Sequence, residues 1–301
     1  MRSGSSQVLT FTEKCKSILS SNWEAYLNTV KGEAKGSKDI YKSKVKYIMR
    51  KGEPYLWIHE KEMHNLNVMF DERSSLTITY PYPGAIGRLL KTINKFPARV
   101  ALAGDVERLN EQKTQLIANN LEEVIHYEEK MSRDSNYVFS GLLNSSRAVC
   151  TTHRCGLMEL VDAAEEYSIY KLNVRGCTLI DKNGDSHEVD VKEFTEVQAR
   201  QLDFFSAQIL DSINQSEARR RALILFCLVY MNVGVRDALI LSLDYKGFDL
   251  LGKVLNGNTH LWKEFRFPFS AIAVDVEDFG KRLVEMEEEV VSKVAHFSGL
   301  S

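Results

Sequence analysis

The chain has 301 residues, 44% hydrophobic and 27% charged, with a formal net charge of −2. That length holds one large core or two modest ones. The near-neutral balance argues against bulk electrostatic binding to nucleic acid or an anionic membrane, and no apolar run reaches the roughly 18–20 residues of a spanning helix.

Five scattered cysteines (Cys15, Cys150, Cys155, Cys177, Cys227) suit free thiols in a reducing compartment better than a disulfide framework. The N-terminal MRSGSSQVLTFTEK lacks the apolar core of a secretory signal and is too short for a full transit peptide. If a targeted precursor exists, this chain is expected to start close to its mature end.

Residues 1–10 are small and polar and are expected to fray. Thr12 is placed to cap a short helix through residue 20, with Cys15, Ile18 and Leu19 on one face. Residues 23–31, 41–49, 54–59 and 74–80 read as strands. Between the third and fourth, residues 64–70 read as a short helix with Leu66, Met69 and Phe70 packing inward. In the second strand Lys42, Lys44 and Lys46 alternate with Tyr41, Val45 and Tyr47, which predicts a half-exposed strand whose lysines blunt a sheet edge. Residues 81–96 form a helical insertion, with Ile86, Leu89, Leu90 and Ile93 at helical spacing. Residues 99–109 form the next strand, bulged at Gly104. A long helix spans 111–131, residues 132–155 are an unpatterned loop, and at most a short helix covers 159–166. Strands at 167–179 and 186–194 flank the turn Lys182-Asn-Gly-Asp. Six or seven antiparallel strands with long connections predict a closed or nearly closed barrel over residues 1–195.

A second unit, residues 196–301, follows the order ααβββα. Its first helix carries Leu202, Phe205, Ile209 and Ile213 on one stripe. Ser216 is placed to cap a second, strongly apolar helix at 217–230. The stretch from Ala238 to Phe269 has three β-prone runs separated by Asp244–Gly247 and by Asn256-Gly-Asn, a three-stranded meander. The last helix, 276–296, turns Phe279, Leu283, Met286, Val290 and Val294 inward. The fold class is therefore α+β, a barrel followed by a meander covered by helices on one face.

Particular residues in this second unit carry a family resemblance. They are Ile209-Leu-Asp-Ser-Ile213-Asn214, Phe226-Cys-Leu-Val-Tyr230, Asp244-x-x-Gly247-Phe248-Asp249-Leu250, Arg266-Phe-Pro268-Phe269 and Leu283-Val-Glu-Met286. With them the chain resembles the HugZ-like haem-utilisation split-barrel proteins and their plant glutamyl-tRNA reductase-binding branch. The stretches Pro54–His59, His64–Asn67, Asp71–Leu76 and Arg99–Arg108 are similar to the FMN-binding split barrel of that family, the pyridoxamine-phosphate-oxidase-like type. The resemblance covers most of residues 12–295, leaving out 81–96 and 132–155. It implies a barrel-swapped homodimer with clefts at the subunit interface. The ligand is FMN in some members and haem in the haem-degrading branch. The plant branch implies a chloroplast regulator acting by contact with a tetrapyrrole-pathway enzyme.

Under that resemblance the candidate cofactor-binding residues are His59, Lys61, His64 and Asn67. In flavin-binding relatives the strand before His64 ends in a small hydroxyl that helps hold the phosphate. Here His59 stands there, with Glu60 and Glu62 beside it. Two carboxylates near a phosphate repel it by about 1 kcal/mol or more at surface dielectric. The competing reading makes His64 and Asn67 structural, orienting the strand–helix turn. For haem, many relatives carry a histidine just after the Ile-Asn of the first C-terminal helix, and this chain has Gln215 there. His260 and His296 are the nearby alternatives, and both read as surface residues.

Cys150, His153 and Cys155 fall one ligand short of a tetrahedral zinc site. Arg219-Arg220-Arg221 reads as a solvated or salt-bridged helix edge rather than a nucleic-acid patch. The expectation is a non-catalytic dimeric protein acting by contact. The alternative is an FMN-dependent oxidoreductase or haem-degrading oxygenase.

Overall fold

The computed structural model describes residues 8–32, 39–82, 84–134, 156–162, 164–196 and 201–298. Six antiparallel strands form the N-terminal unit: β1 (Glu24–Val30), β2 (Ile40–Arg50), β3 (Glu53–His59), β4 (Arg73–Thr79), β5 (Arg99–Arg108) and β6 (Tyr167–Ile180). They run in the order β3-β2-β1-β4-β5-β6, and β3 also pairs with β6, so the sheet closes. The closing register runs from Tyr55↔Lys171 to His59↔Tyr167. A seventh strand, β7 (Ser186–Val189), extends β6.

Inward alternation explains the barrel. Leu27, Val45, Tyr47, Leu56, Ile58, Leu76, Ile78, Val100, Leu102 and Leu172 are all buried in one core. The bulge expected at Gly104 is present, where the β5–β6 register shifts between Ala103 and Gly104. A side chain there would overlap the carbonyl oxygen of Asn173. Helix α1 (Phe11–Ser20) packs against the barrel, and Tyr47 donates to the Leu19 carbonyl at 2.7 Å.

Four local expectations are corrected. Thr10, not Thr12, caps α1, in a reciprocal capping box with Glu13. The strand expected over 186–194 stops at Val189, and helix Val191–Glu196 follows. β2 lies between β1 and β3 inside the closed barrel, so Lys42, Lys44 and Lys46 guard no edge. Lys44 pairs with Glu24, Lys46 with Glu159, and Lys42 lies over the Tyr26 ring. Lastly, Leu66, Met69 and Phe70 on α2 (Met63–Phe70) are 46%, 82% and 68% exposed, while His64 and Asn67 are the buried residues.

Outside the barrel a second core joins Ile48, Trp57 and Ile169 to Ile117 and Leu121 of the long helix α4 (Glu111–Asp134). The helix at residues 156–162, α5, adds Leu157 and Leu160. Most of the expected loop at 132–155 lies outside the described residues, with Cys150, His153 and Cys155.

The C-terminal sheet has the order β10-β9-β8, with β8 (Val235–Asp244), β9 (Gly247–Asn256) and β10 (Thr259–Pro268). Continuing the helix numbering, Val191–Glu196 is α6, Gln201–Gln215 is α7, Glu217–Met231 is α8 and Val276–Ser298 is α9. Ser216 caps α8 by accepting from the Arg219 N–H. Phe226 of α8, Phe248 and Phe267 cluster with ring centroids 5.3 to 6.0 Å apart. Asn214, from the recognised Ile-Asn pair, clamps β8 by donating to the Ile240 carbonyl at 2.9 Å and accepting from the Ile240 N–H at 2.8 Å. The other face of this sheet is covered by α3 (Gly84–Thr92), whose Ile86 and Leu90 pack with Leu241, Leu251 and Trp262. The helical insertion is thus the strap joining barrel to meander. Lys95 and Lys182 complete the joint by pairing with Glu264.

Candidate functional site

β1 and β2 present their inward rows side by side. Ala25, Leu27 and Thr29 form one row, and Tyr41, Ser43, Val45 and Tyr47 the other, with Leu27↔Ser43 and Thr29↔Tyr41 in register. Apolar toward one end, both rows become polar at the other, and α2 lies against that polar end. The helix turns His64 and Asn67 onto it.

The hydrogen bonds there have a defined direction. The Gly32 N–H donates to Asn67 Oδ1 at 3.1 Å, which fixes the amide, and Asn67 Nδ2 then donates to Thr29 Oγ1 at 2.9 Å. The Thr29 hydroxyl is left to donate to His64 Nδ1, 2.9 Å away. His64 therefore carries its proton on Nε2 and donates to Ser43 Oγ at 3.0 Å. Glu62 Oε2 ends the chain, accepting from Ser43 at 3.3 Å and from the Tyr41 hydroxyl at 2.9 Å. Burial pushes the His64 pKa down to about 4, with the Glu62 charge opposing the shift, so the ring is neutral. The same carboxylate holds the Tyr41 phenol above its ordinary value.

His59 ends β3 apart from this chain. Its Nδ1 accepts from the Lys61 N–H at 3.1 Å, so Nε2 donates to Glu166 at 3.2 Å. Lys61 itself is exposed. Asn65 organises the turn between His59 and α2. Its amide donates to the carbonyls of His59, Glu60 and Glu62, and its oxygen accepts from Tyr170 at 2.8 Å. Sequence reasoning missed Asn65, Thr29 and Ser43. The signal for the last two was present, since each is a hydroxyl on an otherwise inward-facing row.

As they are bonded here, the four candidate residues do not fit a flavin phosphate or a haem iron. Both ring nitrogens of His64 and both amide atoms of Asn67 are used inside the protein. Both nitrogens of His59 are engaged as well, and Glu60 and Glu62 stand beside Lys61. The four expected site residues therefore share one neighbourhood, and His64 and Asn67 act there as fasteners for α2. His260 is half-buried in the hairpin arm and His296 is exposed near the C-terminus. Arg220 and Arg221 are salt-bridged to Asp237 and Glu217. Among the described residues no cluster of three or more His, Cys, Asp or Glu is placed to hold a metal, and no helix is long and apolar enough to cross a membrane.

No protein-family model and no curated protein matches the chain. Among solved structures it is similar to a heme-binding protein from Mycobacterium smegmatis, at 18% identity and a TM-score of 0.55, covering 95% of this chain and 99% of the other. ChuZ from Campylobacter jejuni matches at 11% identity and a TM-score of 0.41, covering 64% of this chain and 66% of the other. General Stress Protein 26 from Bacillus anthracis matches at 11% and 0.35, covering 60% and 100%. The first likeness extends across barrel and meander, so the chain has the split-barrel fold with an appended α+β domain.

Proposed function

We propose that this is a non-catalytic split-barrel protein that pairs with a second copy of itself and acts through protein contacts. The inward commitment of His64 and Asn67 carries this reading. Two of the four candidate cofactor-binding side chains here tie α2 to β1 and β2. What α2 offers outward is apolar, with Leu66, Met69 and Phe70 all exposed. Such a stripe on a water-soluble surface marks a contact site. The homodimer is what the family resemblance implies. The barrel closes, so unpaired barrel edges do not call for it, and the exposed apolar flank of α2 is the surface that supports it. A tetrapyrrole-pathway enzyme as a further partner, and a plastid setting, rest on the sequence resemblance alone.

Two measurements on protein purified without added cofactor test this. The expected outcome is no flavin or Soret absorption together with a dimeric mass by light scattering. A yellow protein, or a monomer at micromolar concentration, rules the reading out.

The second reading is an FMN-dependent oxidoreductase or a haem-degrading oxygenase. The fold shared with the Mycobacterium smegmatis heme-binding protein favours it. A Soret band on adding haemin that shifts in His260→Ala supports it. No spectral change with FMN or haemin removes it.

A further inference from the structure

We propose that the cleft between the barrel and the C-terminal sheet binds a small, uncharged molecule with an apolar body and a hydrogen-bond acceptor. The cavity measures about 290 Å³, near the lower end of the roughly 300–1,000 Å³ typical of ligand sites. Three parts of the chain meet in it: α1 through Ile18, the barrel through Ala98 and Leu179, and the meander through Leu243. It lies apart from the His59–Asn67 neighbourhood, none of whose residues lines it.

Its charges balance. Lys14, Lys182 and Arg266 face Asp181, Asp244 and Asp249. Most are already engaged. Arg266 grips Asp244, Lys182 pairs with Glu264, and Asp249 accepts from the Ser242 hydroxyl at 2.5 Å. Asp181 accepts from the N–H groups of Asn183 and Asp185. A phosphate would meet three carboxylates, and a cation would meet three positive side chains. The cleft therefore has no net pull on either sign. Among the described residues, no histidine, cysteine or methionine lines it for a haem iron.

What the cleft offers a neutral guest is a pair of phenols. The rings of Tyr80 and Tyr82 line it 4.8 Å apart, tilted by 50°. The Tyr80 hydroxyl lies toward Ser206 without closing a hydrogen bond. The Tyr82 hydroxyl bonds no described residue. Burial raises both phenol pKa values above the ordinary range, so both keep their protons and neither serves as a tyrosinate ligand. The Tyr80 oxygen is closed off from solvent, which leaves the Tyr82 hydroxyl as the donor for a guest. A carbonyl on the guest would accept from Tyr82 while its apolar body packs against Leu179 and Leu243.

Saturation-transfer NMR on the whole chain with four single-ring probes tests this: benzamide, toluene, benzoate and benzylammonium. Benzamide is expected to give the strongest signal. In Tyr82→Phe its affinity falls about fivefold, the worth of one hydrogen bond, while toluene is unchanged. In Ala98→Phe, which fills the cleft, both signals vanish. The proposal is overturned if benzamide shows no transfer at millimolar concentration, or if benzoate or benzylammonium binds more tightly. A benzamide affinity unchanged in Tyr82→Phe overturns it equally, and that variant keeps the test decisive should Ala98→Phe fail to fold.

Discussion

Arg266 grips Asp244 with both prongs of its guanidinium, Nη2 to Oδ1 and Nη1 to Oδ2, each at 2.8 Å. The pair ties the turn after β8 to β10. Asp249 stands 3.7 Å from Nη1 as a second, looser partner. Two of the motifs behind the family resemblance are thus two halves of one fastening, and their physical content is structural. The side chains of Arg266 and Asp244 are only 19% and 8% exposed, so removing either strands a charge in the interior. Arg266→Met is expected to lower stability by about 3–5 kcal/mol in urea unfolding. Converting Asp244→Leu in the same chain should recover much of that. A loss below about 1 kcal/mol in the single variant would show the pair to be solvent-screened.

Gly247 sits in the same turn with φ at +150°, and a β-carbon there would overlap the Phe267 carbonyl oxygen. Both the backbone angle and the close strand approach demand glycine. Gly247→Ala should cost more than the roughly 1 kcal/mol of an ordinary glycine replacement and should loosen the Phe248–Phe267 stack. Thermal unfolding and near-ultraviolet circular dichroism report the two effects. A variant as stable as the parent contradicts the geometry.

His64 makes the stability of the chain sensitive to acid. Its pKa is held near 4 in the folded protein against an ordinary 6.5. Between those values the unfolded chain binds the extra proton and the folded chain does not. Stability therefore rises with pH through this window, is complete above it, and is lost as pH falls toward 4. The full contribution is roughly 3 kcal/mol at about 1.4 kcal/mol per pK unit. Replacing His64 with asparagine should lower stability at neutral pH and flatten the slope between pH 4 and 6.5. An unchanged slope would mean that the ring is charged, or solvated, in the fold.

Leu66 and Met69 take almost no part in the barrel core, so charging them should leave folding alone. The double variant Leu66→Glu, Met69→Glu is expected to keep its unfolding free energy within about 0.5 kcal/mol of the parent for each site. Its mass by light scattering should fall from dimer to monomer. A stable dimer that survives both charges would place the subunit contact elsewhere.

The strands were legible because alternation records itself locally. Ala25, Leu27 and Thr29, or Val45 and Tyr47, show from spacing alone which side of the strand is inward. The turns at Lys182–Asp185 and Asn256–Asn258 were legible for the same reason. Helix α2 was misread because an eight-residue helix with apolar Leu66, Met69 and Phe70 is expected to bury them. The neighbouring inward positions on β1 and β2 were already polar, so the helix turned its own polar residues, His64 and Asn67, to meet them.

By itself the sequence determined most element types, the α+β order and the meander, since these depend on neighbours a few residues apart. Only the tertiary structure decided that β3 meets β6, pairing Trp57 with Ile169, and that α3 roofs the second sheet. It alone gave His64 and Asn67 their partners. Side-chain period states which face of an element avoids water, whereas the identity of the surface waiting opposite is set by chain closure between elements distant in sequence.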